Sequence, residues 1–235
     1  MKKLHLIVLS SLVVVAIGAI AYYLSMTAPT KGPSTPPVGN RPPQTPLTSV
    51  EEPAAEAVAL GEGQTRYRID TSSAVATFTL DEMLRGSPKT VVGTSTGMLA
   101  GEIGVNTSSL VSSTIGTIKL NARSFVTDEN NRNNMIRRAI LKTENDANEF
   151  ITFKTTELSG TSSSFTIVGE LTIAGVTKPA TFLAKTSLGE DGKLVVEAKT
   201  VVKRDDYGIL IPSIPFVADV ENTVDLDLNF TASPV

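Results

Sequence analysis

The sequence contains no cysteine, and its only histidine is His5, close to the N-terminus. The absence of cysteine excludes disulfide bonds, a thiol nucleophile and a cysteine zinc site. Beyond residue 5, a Ser-His-Asp triad and a Cys-His dyad are also excluded, because both need a histidine. A carboxylate metal site stays open, although no calcium-loop spacing is present. We therefore expect no catalytic residue, no metal ligand and no enzymatic activity.

A broad basic stripe is also missing. The net charge is −3, with 21 basic and 24 acidic side chains, and no basic stripe runs along the chain. A nucleic-acid-binding domain normally presents such a stripe to the phosphate backbone. The composition therefore predicts no nucleic-acid partner, and it identifies no protein partner.

The N-terminal 26 residues form the one long apolar run. Lys2 and Lys3 precede residues 4–24, which contain a single titratable side chain. A helix of this length spans about 30 Å, the thickness of the hydrocarbon core of a membrane. The leading lysines predict an anchor with its N-terminus inside and the rest of the chain outside. The alternative is a signal peptide cleaved after Ala19-Ile20-Ala21. Both interpretations predict an extracytoplasmic domain, periplasmic or on the cell surface, which the anchor would tether to the cytoplasmic membrane.

Residues 27–65 are rich in proline and lack apolar periodicity. Such a segment cannot bury enough apolar surface to offset the entropy lost on ordering. It is therefore predicted to be a disordered linker, with a folded domain over residues 66–235.

The remaining sequence alternates between apolar and polar residues in short segments separated by Gly, Asn, Asp and Ser. The clearest segment is VDLDLNF, in which Val224, Leu226, Leu228 and Phe230 share one face. The pattern predicts an antiparallel all-β domain. Its strands are expected near 66–70, 74–80, 91–104, 115–125, 150–158, 164–174, 179–188, 194–203 and 223–231. The periodicity alone does not distinguish a sandwich from a closed barrel.

One segment, NNRNNMIRRAILK at residues 130–142, has helical periodicity instead. Met135, Ile136 and Ile140 fall on one face, and basic residues lie elsewhere on the helical wheel. The pattern predicts one amphipathic helix of about three turns, with Asp128 as its N-cap, at one end of the sheet.

Several motifs resemble the YceI-like family of exported polyisoprenoid-binding proteins. The most specific is GELTIAGVTKP at 169–179, and LNARSFVTDENNRNNMIRRAIL at 120–141 is similar to the middle block of the family. YRID, KRDDYGI and VADVENTVDLDL follow the family's order. The resemblance implies an antiparallel eight-stranded lipocalin-like barrel with one helix, preceded here by the transmembrane helix and the proline-rich linker.

The sequence departs from the family pattern at two places. The family often has a histidine after its first strand, where this chain has Asp81 and Glu82. It also often reads R-D-x-H-L at the start of the helix, where Arg132 is followed here by NNMI. If those histidines contact a ligand head group in relatives, the contact must differ in this chain.

The resemblance implies an isoprenoid lipid or quinone as the bound molecule, and no other cofactor. Burial of the ligand in an apolar barrel cavity would be the mechanism. The alternative is a stalked structural or adhesive module with a filled core. The predicted cavity residues are Phe78, Leu80, Phe125, Met135, Ile136, Ile140, Phe153, Leu171, Ile173, Phe182 and Leu226. The predicted head-group residues are Glu82, Arg132, Arg137 and Arg138, and Lys142 is a further basic candidate.

Overall fold

The computed structural model describes residues 52–161, 163–211 and 217–235. All of them belong to one unit, Thr48–Val235. The predicted anchor, residues 1–26, and most of the predicted linker lie outside the described residues. Within the described ranges, no helix is both long enough and apolar enough to cross a membrane.

Thirteen strands, all paired antiparallel, form a single curled sheet in the described part of the chain. One short helix, α1 (Asn130–Met135), continues directly into a π-helical turn, Ile136–Ile140. The strands are β1 (Thr65–Ile69), β2 (Val75–Leu84), β3 (Ser87–Thr96), β4 (Leu99–Ala100), β5 (Glu102–Val105), β6 (Thr114–Ile115), β7 (Ile118–Asn121), β8 (Phe150–Gly160), β9 (Ser164–Ile173), β10 (Val176–Leu188), β11 (Leu194–Lys203), β12 (Val217–Ala218) and β13 (Thr223–Pro234).

The sheet closes into a barrel through β4 and β5, which are consecutive in the chain and separated only by Gly101. β4 pairs with β7, placing Leu99 opposite Leu120, and β5 pairs with β1, placing Ile103 opposite Tyr67. From β7 the wall continues through β8, β9, β10, β11 and β13 back to β1. With β4 and β5 counted as one bent strand, eight strands surround the core, which confirms the predicted architecture.

The β2–β3 hairpin extends the wall at the end of the barrel that carries α1. β2 pairs with the first half of β13, so that Phe78 lies opposite Leu226. Reciprocal backbone hydrogen bonds of 2.9 Å then join Thr94 on β3 to Val126, shortly after β7. The expected single strand 91–104 is therefore wrong, since these residues belong to β3, β4 and β5.

The β9–β10 hairpin carries the GELTIAGVTKP motif. Ala174 and Gly175 both have positive φ, 49° and 79°, so they form a two-residue turn, and the strand resumes at Val176. Pro179 lies within β10 opposite Glu170. Proline is tolerated there because β11 pairs with β10 only from Leu183 onward, so no described strand needs a backbone N–H at residue 179 on that side.

The helical segment is shorter than its periodicity predicts. Regular α-helix ends at Met135, and the chain widens into a π-helical turn. The residue at the N-cap position is Glu129, which makes no side-chain cap, so the prediction of Asp128 as N-cap is wrong. Asp128 contacts Lys89 and Arg132 instead.

Residues 52–64, which fall within the predicted linker, pack on the outside of the barrel. Val58 is buried, and its backbone N–H donates to Glu102 Oε2 at 3.1 Å. Glu102 also accepts from the Arg68 guanidinium at 2.8 Å. The hydrogen bond from Arg68 lowers the pKa of Glu102, and the hydrogen bond from the Val58 N–H and the positive charge of Arg66 lower it further. Together they outweigh burial, which by itself would raise the pKa. The ordered domain therefore begins before the expected boundary at residue 66.

Candidate functional site

A cavity of about 80 Å³ lies inside the barrel, at the end remote from α1. Its wall is almost entirely apolar, with two hydroxyl side chains as exceptions. The lining residues are Ile103, Val105, Leu110, Ser113, Ile115, Ile118, Phe153, Leu158, Phe165, Ile167, Phe182, Thr186, Leu194, Val196, Ala198, Leu228 and Phe230.

Strand alternation explains why these side chains meet. Val196 on β11 lies directly opposite Phe230 on β13, and Ala198 lies opposite Leu228. Directly opposed residues share a face of the sheet, and every second residue points to the same side. Ala198 also lies opposite Ala184 on β10. Two small side chains side by side leave space that the neighbouring large ones do not fill.

The open end of the barrel is partly covered by the segment between β5 and β7. Leu110 and Ile115 from this segment line the cavity. β6, which contains Ile115, has only two residues and pairs with β5 alone among the described strands. The Gln64 side chain braces the segment from outside, donating to the Ser112 carbonyl at 2.6 Å. This cover is therefore held by few contacts compared with the rest of the wall.

The end of the barrel near α1 is solid. Phe78 and Phe125 pack edge to face with ring centroids 5.2 Å apart. The Phe78 ring also covers Gly93, where an added Cβ would lie 2.1 Å from a ring carbon. Phe153 covers Gly169 in the same way, at 2.6 Å. Neighbouring rings therefore occupy the space in front of these glycines, and the described residues leave no tunnel along the length of the barrel.

The structure separates the predicted cavity residues into four groups. Phe153 and Phe182 line the cavity, with ring centroids 4.9 Å apart. The remaining residues do not line it. Phe125, Ile136, Leu171 and Ile173 belong to the buried core, Phe78, Ile140 and Leu226 pack against that core, and Leu80 and Met135 are half-buried.

Most of the cavity wall was not singled out by the sequence. Phe165, Ile167, Leu194 and Val196 all lie on predicted strands and follow the alternation. The pattern identifies their inward face but not their height along the barrel, which depends on register. Ile103 and Leu110 lie in segments that carry no clear alternation.

The predicted head-group residues Glu82 and Arg132 do meet, near α1. Arg132 Nη2 lies 3.0 Å from Glu82 Oε1, and its Nη1 contacts Asp128. Glu82 is buried, at 7% exposure. Lys89 also bonds Asp128, and this bond, with the positive charges of Arg132 and Lys89, lowers the Asp128 pKa. The four charges balance, so the cluster fastens α1 to the β2–β3 hairpin. A head-group role for Arg132 stays a prediction.

Arg137 and Arg138 lie apart from this cluster. Arg137 donates to the Arg123 carbonyl and to Asn134, each at 3.3 Å. Arg138 is exposed and pairs with Glu144 at 3.1 Å. Neither residue lines the cavity, and the structure does not bring the four predicted head-group residues into one site.

No group of three or more acidic or histidine side chains in the described ranges is arranged to hold a metal ion. Glu82 and Asp128 are held by the basic side chains of Arg132 and Lys89. The cavity inside the barrel offers burial of apolar surface rather than charged ligands, whereas a wider depression beside the β2–β3 hairpin is lined by polar and charged side chains such as Asp81, Lys89 and Glu221.

Comparison with known proteins agrees with this architecture. Residues 67–232 match the sequence profile of the YceI-like domain. This match spans well over half of the chain, and the chain belongs to the YceI-like family. A comparison with curated proteins found no match.

Two solved structures resemble the domain. BcnA from Burkholderia cenocepacia aligns with a TM-score of 0.56 at 11% identity, covering 70% of this chain and 99% of BcnA. A polyisoprenoid-binding domain from Saccharophagus degradans, implicated in plant cell wall breakdown, aligns with a TM-score of 0.51 at 14% identity. That alignment covers 72% of this chain and 98% of the other. At these identities the similarity shows the fold alone.

Proposed function

We propose that this chain is a binding protein that holds an isoprenoid lipid or isoprenoid quinone in its barrel cavity. The observation that carries the proposal is an interior cavity with fifteen apolar side chains in its wall. Membership of the YceI-like family supports it, and so does the description of one structural neighbour as a polyisoprenoid-binding domain. The proposal involves no catalytic step.

Burial of apolar surface is sufficient to drive such binding. Each ~100 Å² of ligand surface removed from water contributes about 2.5 kcal/mol at ~25 cal/mol per Å². The four phenylalanines of the wall, Phe153, Phe165, Phe182 and Phe230, supply contact area on several sides. An unbranched or prenyl chain needs no charged partner in such a site.

The volume of the cavity limits what it holds without rearrangement. The value of about 80 Å³ is smaller than the ~150 Å³ of an engineered cavity that binds benzene. A ligand longer than a few carbons therefore requires the wall to move. Leu110 and Ile115 are the side chains expected to move, because β6, the strand in their segment, pairs with β5 over only two residues. The ligand would then enter at the end remote from α1.

We further propose that the domain works outside the cytoplasm, tethered to the cytoplasmic membrane by residues 4–24. The apolar run and the two lysines before it are the support for this proposal. Because residues 52–64 pack on the barrel, the proline-rich linker is residues 27–51, and as a coil it would let the barrel move about 25–30 Å from the anchor. A barrel on such a tether is suited to sequester or shuttle a lipid next to the bilayer.

Extraction of the purified full-length protein tests the proposal directly. The protein is extracted with chloroform and methanol, and the extract is analysed by mass spectrometry for prenyl alcohols, prenyl phosphates and quinones. We expect one lipid class at near-stoichiometric amount, and a rise in melting temperature when it is added back to delipidated protein. Repeated recovery of no lipid, with no thermal shift on adding prenyl alcohols or quinones, would contradict the proposal.

A second function, a stalked structural or adhesive module, is favoured by one observation. The half of the barrel near α1 is packed solid around Phe78 and Phe125. If the remaining cavity does not open, the domain has a filled core and no ligand. A fluorescent fatty acyl dye distinguishes the two functions: entry of the dye supports the binding protein, and its exclusion supports the structural module.

A further inference from the structure

The cavity wall contains two hydroxyl groups, and only one of them has a hydrogen-bond partner among the described residues. Ser113 Oγ accepts a hydrogen bond from the Asn106 backbone N–H at 3.0 Å. Thr186 Oγ1 is buried and has no hydrogen-bond partner among the described residues. The Thr186 backbone N–H donates to the Ser163 carbonyl at 3.0 Å, so the main chain does not need this hydroxyl.

The Thr186 hydroxyl is not required by the strand. Valine has the same branched shape and the same preference for β-strands, and it would fill this position without a polar atom. A buried hydroxyl without a partner destabilises a folded protein, because its hydrogen bonds to water are lost and not replaced. The Thr186 hydroxyl lowers the stability of the free protein and faces the cavity. Its presence is explained if a bound ligand supplies the missing hydrogen-bond partner.

The register of β10 places this hydroxyl at the outer part of the cavity. Phe182, Ala184 and Thr186 alternate along one face, and the next residue on that face, Leu188, is 41% exposed. Four residues of strand separate Phe182 from Thr186, a distance of about 13 Å. A ligand oxygen bonded at Thr186 would therefore lie near solvent, with its apolar chain running inward towards Phe182.

We propose that Thr186 is the polar contact of the ligand and donates a hydrogen bond to a ligand oxygen. This inference rests on the proposed lipophile-binding function and narrows its ligand class. The cavity then prefers an apolar chain that carries a carbonyl or hydroxyl oxygen at one end, such as a prenyl alcohol or quinone. A hydrocarbon of the same chain lacks this contact and leaves the hydroxyl unpaired.

A matched pair of variants isolates the effect. Thr155 Oγ1 is also buried without a partner among the described residues, but Thr155 does not line the cavity. Thr186→Val and Thr155→Val therefore remove the same chemical group from two places. Thr186→Ser keeps the hydroxyl and loses only a methyl group. We expect both valine variants to fold and to melt at or above the temperature of the unmodified protein.

The measurement is the dissociation constant of delipidated full-length protein for farnesol and for the hydrocarbon farnesene, by displacement of a fluorescent dye. We expect Thr186→Val to weaken farnesol binding about tenfold, the worth of one buried hydrogen bond, and to leave farnesene binding unchanged or tighter. Thr155→Val and Thr186→Ser should keep the preference for farnesol.

The outcomes separate this inference from the proposed function. If Thr186→Val binds both compounds as the unmodified protein does, the role of Thr186 is overturned and lipophile binding stands. If Thr155→Val loses the preference for farnesol over farnesene to the same extent, the role of Thr186 is also overturned, because the effect is then not local to the cavity. If the unmodified protein binds neither compound, the proposed function and this inference both fail.

Discussion

Replacing Ala198 by leucine should fill the cavity from its own wall. Ala198 is 5% exposed, and its neighbours across the two adjacent strands are Ala184 and Leu228. The substitution adds three carbons to a side chain that faces about 80 Å³ of space. It should therefore stabilise the free protein and block the ligand at the same time, which a change elsewhere in the core would not do.

The expected gain follows from the cavity volume. At ~24 cal/mol per Å³, an 80 Å³ cavity costs about 2 kcal/mol of stability. Three buried carbons at ~0.8 kcal/mol each give a similar value. For a domain of this size, 2 kcal/mol corresponds to a rise in melting temperature of about 4–8 °C. Strain from imperfect fit lowers this gain, so Ala198→Val, with two added carbons, serves as the smaller step.

Circular dichroism melts and dye displacement provide the two readouts. We expect Ala198→Leu to melt higher than the unmodified protein and to bind a prenyl alcohol at least tenfold more weakly. Ala139→Leu adds the same carbons at an exposed position on the π-helical turn and should leave binding unchanged. The reasoning is refuted if both Ala198 variants melt lower, or if Ala198→Leu binds as the unmodified protein does.

Three further predictions concern the framework around the cavity. Glu102→Gln should lower the free energy of unfolding by about 2–3 kcal/mol at neutral pH. Because the pKa of Glu102 is lowered in the folded protein, this difference in unfolding free energy should be complete above pH 4.5, the ordinary pKa of the group. It should disappear as the pH falls through the lower pKa of the folded protein. Urea unfolding at a series of pH values measures this dependence. Gly169→Ala should destabilise by about 1–3 kcal/mol, because the new Cβ would lie 2.5 Å from the Lys154 carbonyl oxygen and 2.6 Å from the Phe153 ring; normal stability in chemical denaturation would contradict this packing. Arg132→Ala should cost about 3 kcal/mol by leaving Glu82 buried and unpaired, and adding Glu82→Met should restore most of it. If Arg132→Ala instead weakens ligand binding without loss of stability, Arg132 is a head-group contact.

The strands could be predicted wherever one face is exposed to solvent and the other face is buried. In VDLDLNF the alternation is unbroken. The observed strand β13 includes this whole segment, and Phe230 is buried. The run 91–104 was harder, because Gly97 and Gly101 interrupt a sequence in which both faces become buried. β5 is buried at all four of its positions, including Glu102. A pattern of period two disappears when the outer face is covered as well.

The position of the cavity could not be predicted from the pattern. Alternation shows which way Phe78, Phe153 and Leu171 point, but not whether the space in front of them is filled. Gly93 and Gly169 have no side chain, and rings from adjacent strands occupy the space in front of them. The contents of the interior depend on register across several strands, which no short stretch of sequence encodes.

The ordered segment before β1 was missed for a related reason. Residues 52–64 lack periodicity, and their order comes from contacts with distant residues. The Val58 N–H bonds to Glu102, 44 residues away, and the Gln64 side chain bonds to the Ser112 carbonyl, 48 residues away. A buried carboxylate on β5 thereby fixes a chain that has no intrinsic preference for one conformation.

Photo-crosslinking tests the central claim that the apolar cavity is the binding site. Delipidated full-length protein is incubated with a farnesol analogue carrying a diazirine in its chain, irradiated and mapped by peptide mass spectrometry. We predict adducts on cavity residues such as Phe153, Phe182 and Leu228, suppressed by excess farnesol. Adducts confined to the outer face, at exposed Leu183 and Val201, would contradict the account.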